Sequence, residues 1–310
     1  MIKTLKVTLL VVPVLCVVSL LATIANASPK VAMKPGRVVM RADQVEKAIE
    51  PETEPEFSGA AQVSRSLSLY DHQDGTRTED MEYLFAPQLK TSIGSFSTKI
   101  VYDQNLRDDS GHTYDGKINA SDWGDVPITY ALIPNKWRWS YPYIITLTPF
   151  FTAVIPASQN SLKRDQLKSS VSAGVSFAII PDGIAPVRDG AWSLAIAVNG
   201  GQNIHSYSTD INGKVLNKYL SNQTLNLGYT YKSISFSIEF INKTRWTYEG
   251  NVKSAFVHTE EIGYAVTEHI ALAIGHTNTG SALKANALDS NLDFINENDS
   301  AIYGSLGLSF

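Results

Sequence analysis

From Ser58 to Phe310, apolar and polar side chains alternate with a period of two. That is the pattern of strands with one apolar face. The first run is VSRSLSLY (63–70). In MEYLFAPQL (81–89), Met81, Tyr83, Phe85 and Leu89 share a face. FSTKIVY (96–102) and VPITYALI (126–133) follow. In YPYIITLTPFFTAVI (141–155), Tyr141, Tyr143, Ile145, Leu147, Phe151 and Ile155 share a face. VSAGVSFAI (171–179), WSLAIAV (192–198), LNLGYTY (225–231) and ISFSIEF (234–240) continue the series. AFVHTEEIGYAV (255–266) is less regular, because His258, Glu260 and Glu261 blur its faces; this predicts a bulge. IALAIG (270–275) and YGSLGLSF (303–310) complete twelve predicted strands, with no long helix.

The connections sort by length. After most odd-numbered strands they are long and polar: 103–125, 158–169, 200–218, 242–254 and 276–300. After the even-numbered strands most are turn-sized: KTSIGS (90–95), PNKWRWS (134–140), KS (232–233) and TEH (267–269), with PDGIAPVRDG (181–190) the longest. A sheet with all its long loops at one end and tight turns at the other predicts an up-and-down arrangement. A β-sandwich has no reason to sort its loops this way.

The two faces differ in kind. One carries Phe, Tyr, Trp, Leu, Ile and Val. The other is small and polar: Ser95, Ser97 and Lys99; Ser170, Ser172, Gly174 and Ser176; Thr224, Asn226, Gly228 and Thr230; Ser233, Ser235, Ser237 and Glu239. In a soluble barrel the apolar face points inward, but here the polar face is too small to form a protective rim. The inverted arrangement fits better, with apolar side chains toward lipid and small polar ones toward a lumen. Glu82, Lys90, Lys99 and Glu239 are then the predicted charges of that lumen, and they roughly cancel. Aromatic residues cluster beside the short turns, at Trp137, Trp139, Tyr141, Tyr143, Tyr229 and Tyr231, where an interfacial belt would sit. In hydrocarbon no backbone N–H or C=O can stay unpaired, so such a sheet must close and the last strand must pair with the first. This explains alternation up to Phe310, with Leu306, Leu308 and Phe310 on the lipid side.

The terminal run YGSLGLSF resembles the closing strand of bacterial outer-membrane β-barrels, a family in which that strand ends in Phe; the family's glycine spacing is shifted here to Gly304 and Gly307. The resemblance covers about 58–310 and implies a Gram-negative outer-membrane location. It implies an all-β transmembrane antiparallel up-and-down barrel of about 12 strands. It also implies contact with outer-membrane lipid and lipopolysaccharide, and reading of the last strand by the barrel-assembly machinery.

The opposite end agrees on the compartment. A basic start, an apolar run from Val7 to Leu21 and the small-x-small exit Ala25-Asn26-Ala27 describe a secretory signal peptide over 1–27. Its removal takes Cys16, the single cysteine, and shifts the formal charge from −4 to −6 by loss of Lys3 and Lys6. That mild acidity argues against nucleic acid as a partner. Residues 28–57 read as a periplasmic extension or linker, with four prolines and acidic residues at 50, 52, 54 and 56. Residues 58–310 are the barrel. An alternative makes 28–57 a plug.

Little in the chain points to chemistry. Outer-membrane lipid hydrolases set a His and a Ser two residues apart on a lipid-facing strand, the His taking the serine proton. His276 has Asn278 at that position, and Ser281 lies five residues on. The acidic and amide-rich stretch 289–299 and DDSGHTYDG (108–116) match no calcium-loop spacing. No cofactor and no metal is expected, and the chain is not read as an enzyme. The reading that remains is a porin-like channel for small hydrophilic solutes, weakly selective, because twelve strands lined by small residues should not fill. Solute preference would come from a rim of Asp108, Asp109, Arg245, Trp246 and Tyr248. An adhesion or recognition barrel acting through its outer loops is the alternative, with the lipid hydrolase third.

Overall fold

The computed structural model describes residues 56–70, 77–108, 121–140, 142–181, 190–282, 295 and 299–310. Twelve strands form one antiparallel sheet. They are β1 (Glu56–Ser68), β2 (Thr78–Thr91), β3 in two segments (Gly94–Thr98 and Ile100–Asp108) and β4 in three (Ser121–Trp123, Val126–Leu132 and Asn135–Ser140). Then come β5 (Tyr143–Ile155), β6 (Leu167–Pro181), β7 (Ala191–His205), β8 (Asn217–Tyr231) and β9 (Ile234–Thr247). The last are β10 (Val252–Ala265), β11 (Ile270–Ser281) and β12 (Ser300–Ser309). Each strand pairs with its neighbours in the chain, and β12 returns to β1 in a register running from Ala60↔Ser309 to Ser68↔Ala301. The sheet is a closed barrel without edges. One helical turn, Asn160–Arg164, sits in the connection between β5 and β6.

The closure is built around Phe310. Its N–H donates to the Gly59 carbonyl and its carbonyl accepts from the Gly59 N–H, at 3.1 and 2.9 Å. The Phe310 ring stacks on Phe85, with centroids 5.9 Å apart, and lies 6.0 Å from Phe57. A Cβ on residue 59 would come within 2.7 Å of Phe310 Cζ, so the glycine makes room for the ring.

The barrel is inside-out. Side chains in register with Phe85, Phe151 and Ile274 point outward, and these three are 42, 53 and 61 % exposed. Inward positions hold Gln62, Gln88, Lys90, Thr146, Asn226 and Glu239, all buried. Polar side chains inside and large apolar ones outside reverse the distribution of a soluble domain.

Three sequence expectations differ from the structure. PNKWRWS is not a turn: Asn135–Ser140 is a strand segment paired with β5 from Asn135↔Leu147 to Ser140↔Tyr143. Charged residues hid it, because Lys136 and Arg138 occupy inward positions where the alternation allows them. The stretch 242–254 is not a long loop: β9 runs to Thr247 and β10 starts at Val252. The irregular run around His258 holds no bulge, since β10 pairs with β9 and with β11 without a register shift. There the outward face itself turns polar. The two-residue turn Lys232–Ser233 between β8 and β9 forms as expected, with Lys232 at φ 51°, the left-handed conformation of tight hairpins.

Candidate functional site: the barrel interior and its outer mouth

Alternation along each strand decides what faces the interior. All four predicted lumen charges, Glu82, Lys90, Lys99 and Glu239, fall on inward positions. They are not brought together. Lys90 lies at the inner mouth and donates to Glu56 at 3.1 Å, with both on adjacent strands. Glu239 is buried midway along β9, and Glu82 lies in the outer half of β2 opposite Asp103. The interior also holds Glu261, which accepts from the Tyr303 hydroxyl at 2.8 Å.

Charge is sorted around the outer half of the interior. On the wall of β2 to β4, Glu82 faces Asp103 and Asp103 faces Asp122, with Asp125 close by. On the wall of β9, six strands from β3, Lys243 and Arg245 occupy inward positions opposite Asn222 and Leu220. Arg245 donates to the Asn222 side chain at 2.9 Å and to the Ser221 carbonyl at 3.2 Å. The expectation that Arg245 and Trp246 sit in a rim loop is corrected: both are in β9, and only Tyr248 lies in the following turn. Asp108 ends the second segment of β3; Asp109 lies outside the described residues.

A connection at the mouth is tied down by two aspartates. Asp125 sits in the break between two segments of β4, at the loop end, and accepts from the Ala157 and Ser158 N–H groups, both at 3.0 Å, and from the Ser161 hydroxyl. Asp122 accepts from the Gln159 N–H at 2.9 Å. Burial pushes the Asp125 carboxyl up, but the hydrogen bonds from Ser161, Ser158 and Ala157 outweigh it, so it lies below the ordinary carboxylate value. The connection 156–166 leans in turn on the next one, through Ser206 N–H to the Gln166 carbonyl and Ile211 N–H to the Arg164 carbonyl. Sequence reasoning missed both aspartates; an Asp ahead of a strand reads as ordinary loop, and only the fold places it under the N–H groups of a connection 32 to 37 residues on.

On the outer wall the predicted aromatic belt takes these places. Trp137 and Trp139 are exposed on the inner segment of β4, Tyr231 is exposed at the end of β8, and Tyr143 and Tyr229 are half-buried. Tyr141 lies outside the described residues. Trp192, not predicted for the belt, packs on Tyr229 with centroids 4.6 Å apart. A second group, Tyr83, Tyr102 and Trp123, lies toward the other end. Of the assembly strand, Leu306, Leu308 and Phe310 are exposed on the outward face.

The hydrolase candidate does not assemble. His276 faces outward on β11, 3.9 Å from Glu260, which is 3.0 Å from His258. Asn278 shares that face and is fully buried, whereas Ser281 alternates to the inward side. Among the described residues no group of three or more His, Cys, Asp or Glu side chains could hold a metal ion. The stretch 108–116 beyond Asp108 and most of 289–299 lie outside the described residues.

No family model and no curated protein matches the sequence. Solved structures do. The chain superposes on an outer-membrane channel from Pseudomonas putida F1 with a TM-score of 0.50 at 11 % identity, covering 84 % of this chain and 98 % of that one. It superposes on the NanC porin with a TM-score of 0.43 at 11 % identity, covering 82 % and 99 %. For the outer-membrane phospholipase A of Escherichia coli the TM-score is 0.38 at 7 % identity, covering 81 % and 92 %. At these identities the likeness is one of fold. The fold is that of bacterial outer-membrane β-barrels, and the apolar wall is the surface such a barrel presents to the outer membrane.

Proposed function

We propose that the chain is an outer-membrane channel for small hydrophilic solutes, weakly selective, and not an enzyme. The observation that carries this is the mainly small and polar inner wall of a twelve-stranded barrel: Ser, Thr, Asn and charges of both signs, with Leu84, Ile144 and Ile180 among the apolar exceptions. A hydratable wall of that kind serves passage, whereas eight strands would be filled by side chains. Among the described residues no ring of one sign crosses the interior, which supports weak rather than strong ion preference. Outer-membrane lipid and lipopolysaccharide are the proposed surroundings, and the barrel-assembly machinery the proposed reader of β12. Single-channel recording in planar bilayers tests the reading. Discrete openings with weak cation preference are expected, and a folded protein that never conducts in any form would remove it.

A recognition barrel is the second reading. It is favoured by the ordered connections at the mouth, which hold Leu162, Tyr207 and Ile211 exposed to solvent. Binding to host or envelope material that is lost when Tyr207 and Ile211 become Ser, in a protein that does not conduct, would favour it.

A further inference from the structure

The charges in the outer half of the interior stand on two opposite walls. On one, Glu82, Asp103 and Asp122 occupy neighbouring inward positions of β2, β3 and β4. On the other, Lys243 and Arg245 of β9 and Lys253 of β10 do the same. Asp80, above Glu82 on β2, and Lys218, at the outer end of β8, extend each wall by one more charge of its own sign. The arcs between the walls are neutral at this level: Thr152, Ser172 and Asn203 line one, and Thr277, Thr279 and Ser66 the other. Only at the last rung, beside the β6 bulge, do Lys168 and His205 join the neutral arc of β6 and β7 among the described residues. Four residues deeper than Asp103 and Lys243, Lys99 and Glu239 carry the reverse signs, so this polarity is confined to the outer half.

The arrangement works against stability. Glu82 is directly opposite Asp103, Asp103 is opposite Asp122, and Arg245 is opposite Lys253. Like charges directly opposite across a ladder are destabilising, whereas alternating signs would strengthen the same strands. Four negative and four positive charges cancel in sum, yet they are separated across the lumen. A simple ion gains at one wall and loses at the other, and a neutral solute gains at neither. A solute with opposite charges at its two ends gains at both.

One pole is shaped as well as charged. Arg245 Nη1 donates to the Ser221 carbonyl, the Asn222 side chain and the Thr244 carbonyl, at 3.2, 2.9 and 3.0 Å. These bonds fix the guanidinium and leave its Nε and Nη2 edge for a carboxylate, which that edge can take by two parallel bonds.

We propose that the charge separation makes the outer half of the interior a filter for dipolar solutes, free amino acids and short peptides, with Arg245 and Lys253 drawing the carboxylate and Asp103 the ammonium. The inference deepens the channel reading and rests on it.

The test uses the full chain in planar bilayers, with ion current as the readout. The probes are triglycine, its N-acetylated form without the ammonium, its amide without the carboxylate, and the doubly capped neutral form. Added on the loop side in about 0.1 M salt, triglycine should interrupt the current at about tenfold lower concentration than any of the other three. In about 1 M salt, where screening acts within about 3 Å, most of that advantage should vanish. Arg245→Gln should abolish it, and so should Asp103→Asn, with block by the neutral form unchanged. Should Arg245→Gln lower the heat-modifiable folded fraction, Lys253→Gln carries the same expectation. An advantage that survives these substitutions would overturn the assignment. Equal block by all four probes in a conducting protein would overturn the filter and leave the channel. Block by the acetylated form as strong as that by triglycine would overturn it too, reducing the basic wall to an anion seat. A folded protein without openings would overturn both readings.

Discussion

Below the level of Gln223 and Asn242 the outer wall of the barrel is apolar; above it the outward face of the same strands mixes polar side chains with Tyr219, Trp246 and Ile204. Along β8 the outward residues are Tyr231, Tyr229, Leu227 and Leu225, then Gln223 and Ser221. Along β9 they are Ile234, Phe236, Ile238 and Phe240, then Asn242 and Thr244. On the other strands Arg65, Glu260 and His276 are the first polar residues of the outward face, followed by His258 beyond Glu260, and Arg65 pairs with Glu79 there. A strand crosses a bilayer in about 9–11 residues, and β8 has 15. The bilayer therefore grips only the lower part. The upper part is held by side-chain pairs, such as Asn242 to Gln223 at 2.6 Å. Hydrocarbon dictates one face in the first region, whereas hydrogen bonds, ion pairs and ring contacts such as His205 with Tyr248 organise the second.

Charge on the outward face is the sharpest way to break that contrast. Leu306→Arg puts a cation near the middle of the apolar band, where it costs about 2–4 kcal/mol. Gln223→Arg puts the same cation at the upper edge, where about 0–1 kcal/mol is expected. Equilibrium unfolding by guanidinium in lipid vesicles measures both. Similar losses for the two variants would mean that the edge of the band has been drawn in the wrong place.

Phe310 ranks next, because it works at the band's inner edge and at the seam. Phe310→Ala removes two ring contacts, with Phe57 and Phe85, together worth about 1–3 kcal/mol. The backbone bonds to Gly59 remain possible, so the barrel should still close. A smaller heat-modifiable folded fraction and faster unfolding are the expected readout. Unchanged stability would place the closing strength of the seam in its backbone ladder alone.

The same contrast explains what the sequence made legible. The predicted runs 192–198, 225–231, 234–240 and 270–275 match the apolar stretches of β7, β8, β9 and β11, and each strand continues outward beyond its run. Period two is visible only where one face must be apolar. Once Asn242, Thr244 and Gln202 can sit on the outward face, strand and loop look alike. That is why 242–254 read as a long connection and why His258 and Glu260 read as a bulge. Strand number and order, and the inside-out wall, were legible because lipid imposes them residue by residue. The Asp122 and Asp125 clasp was not, because its partners are backbone N–H groups that any sequence would offer.

The smallest effect expected is at that clasp, in the upper region where no lipid helps. Asp125 holds the turn 157–161 by its carboxylate, so Asp125→Ala should loosen the connection without unfolding the barrel. Trypsin should then cut after Lys163 several-fold faster, with the heat-modifiable fraction unchanged. Added to intact cells, trypsin should reach Lys163 but spare Lys232, which lies in the tight turn at the opposite end. Acid should mimic the substitution. The carboxyl is held below its ordinary value of 3.8, so its contribution is complete above that pH and is lost as pH falls through the lower, folded value. Pepsin cleavage beside the exposed Leu162 should accordingly rise only below about pH 3.8 in the parent protein and show no such step in Asp125→Ala. A step of equal size in both proteins would assign the acid effect to groups other than Asp125.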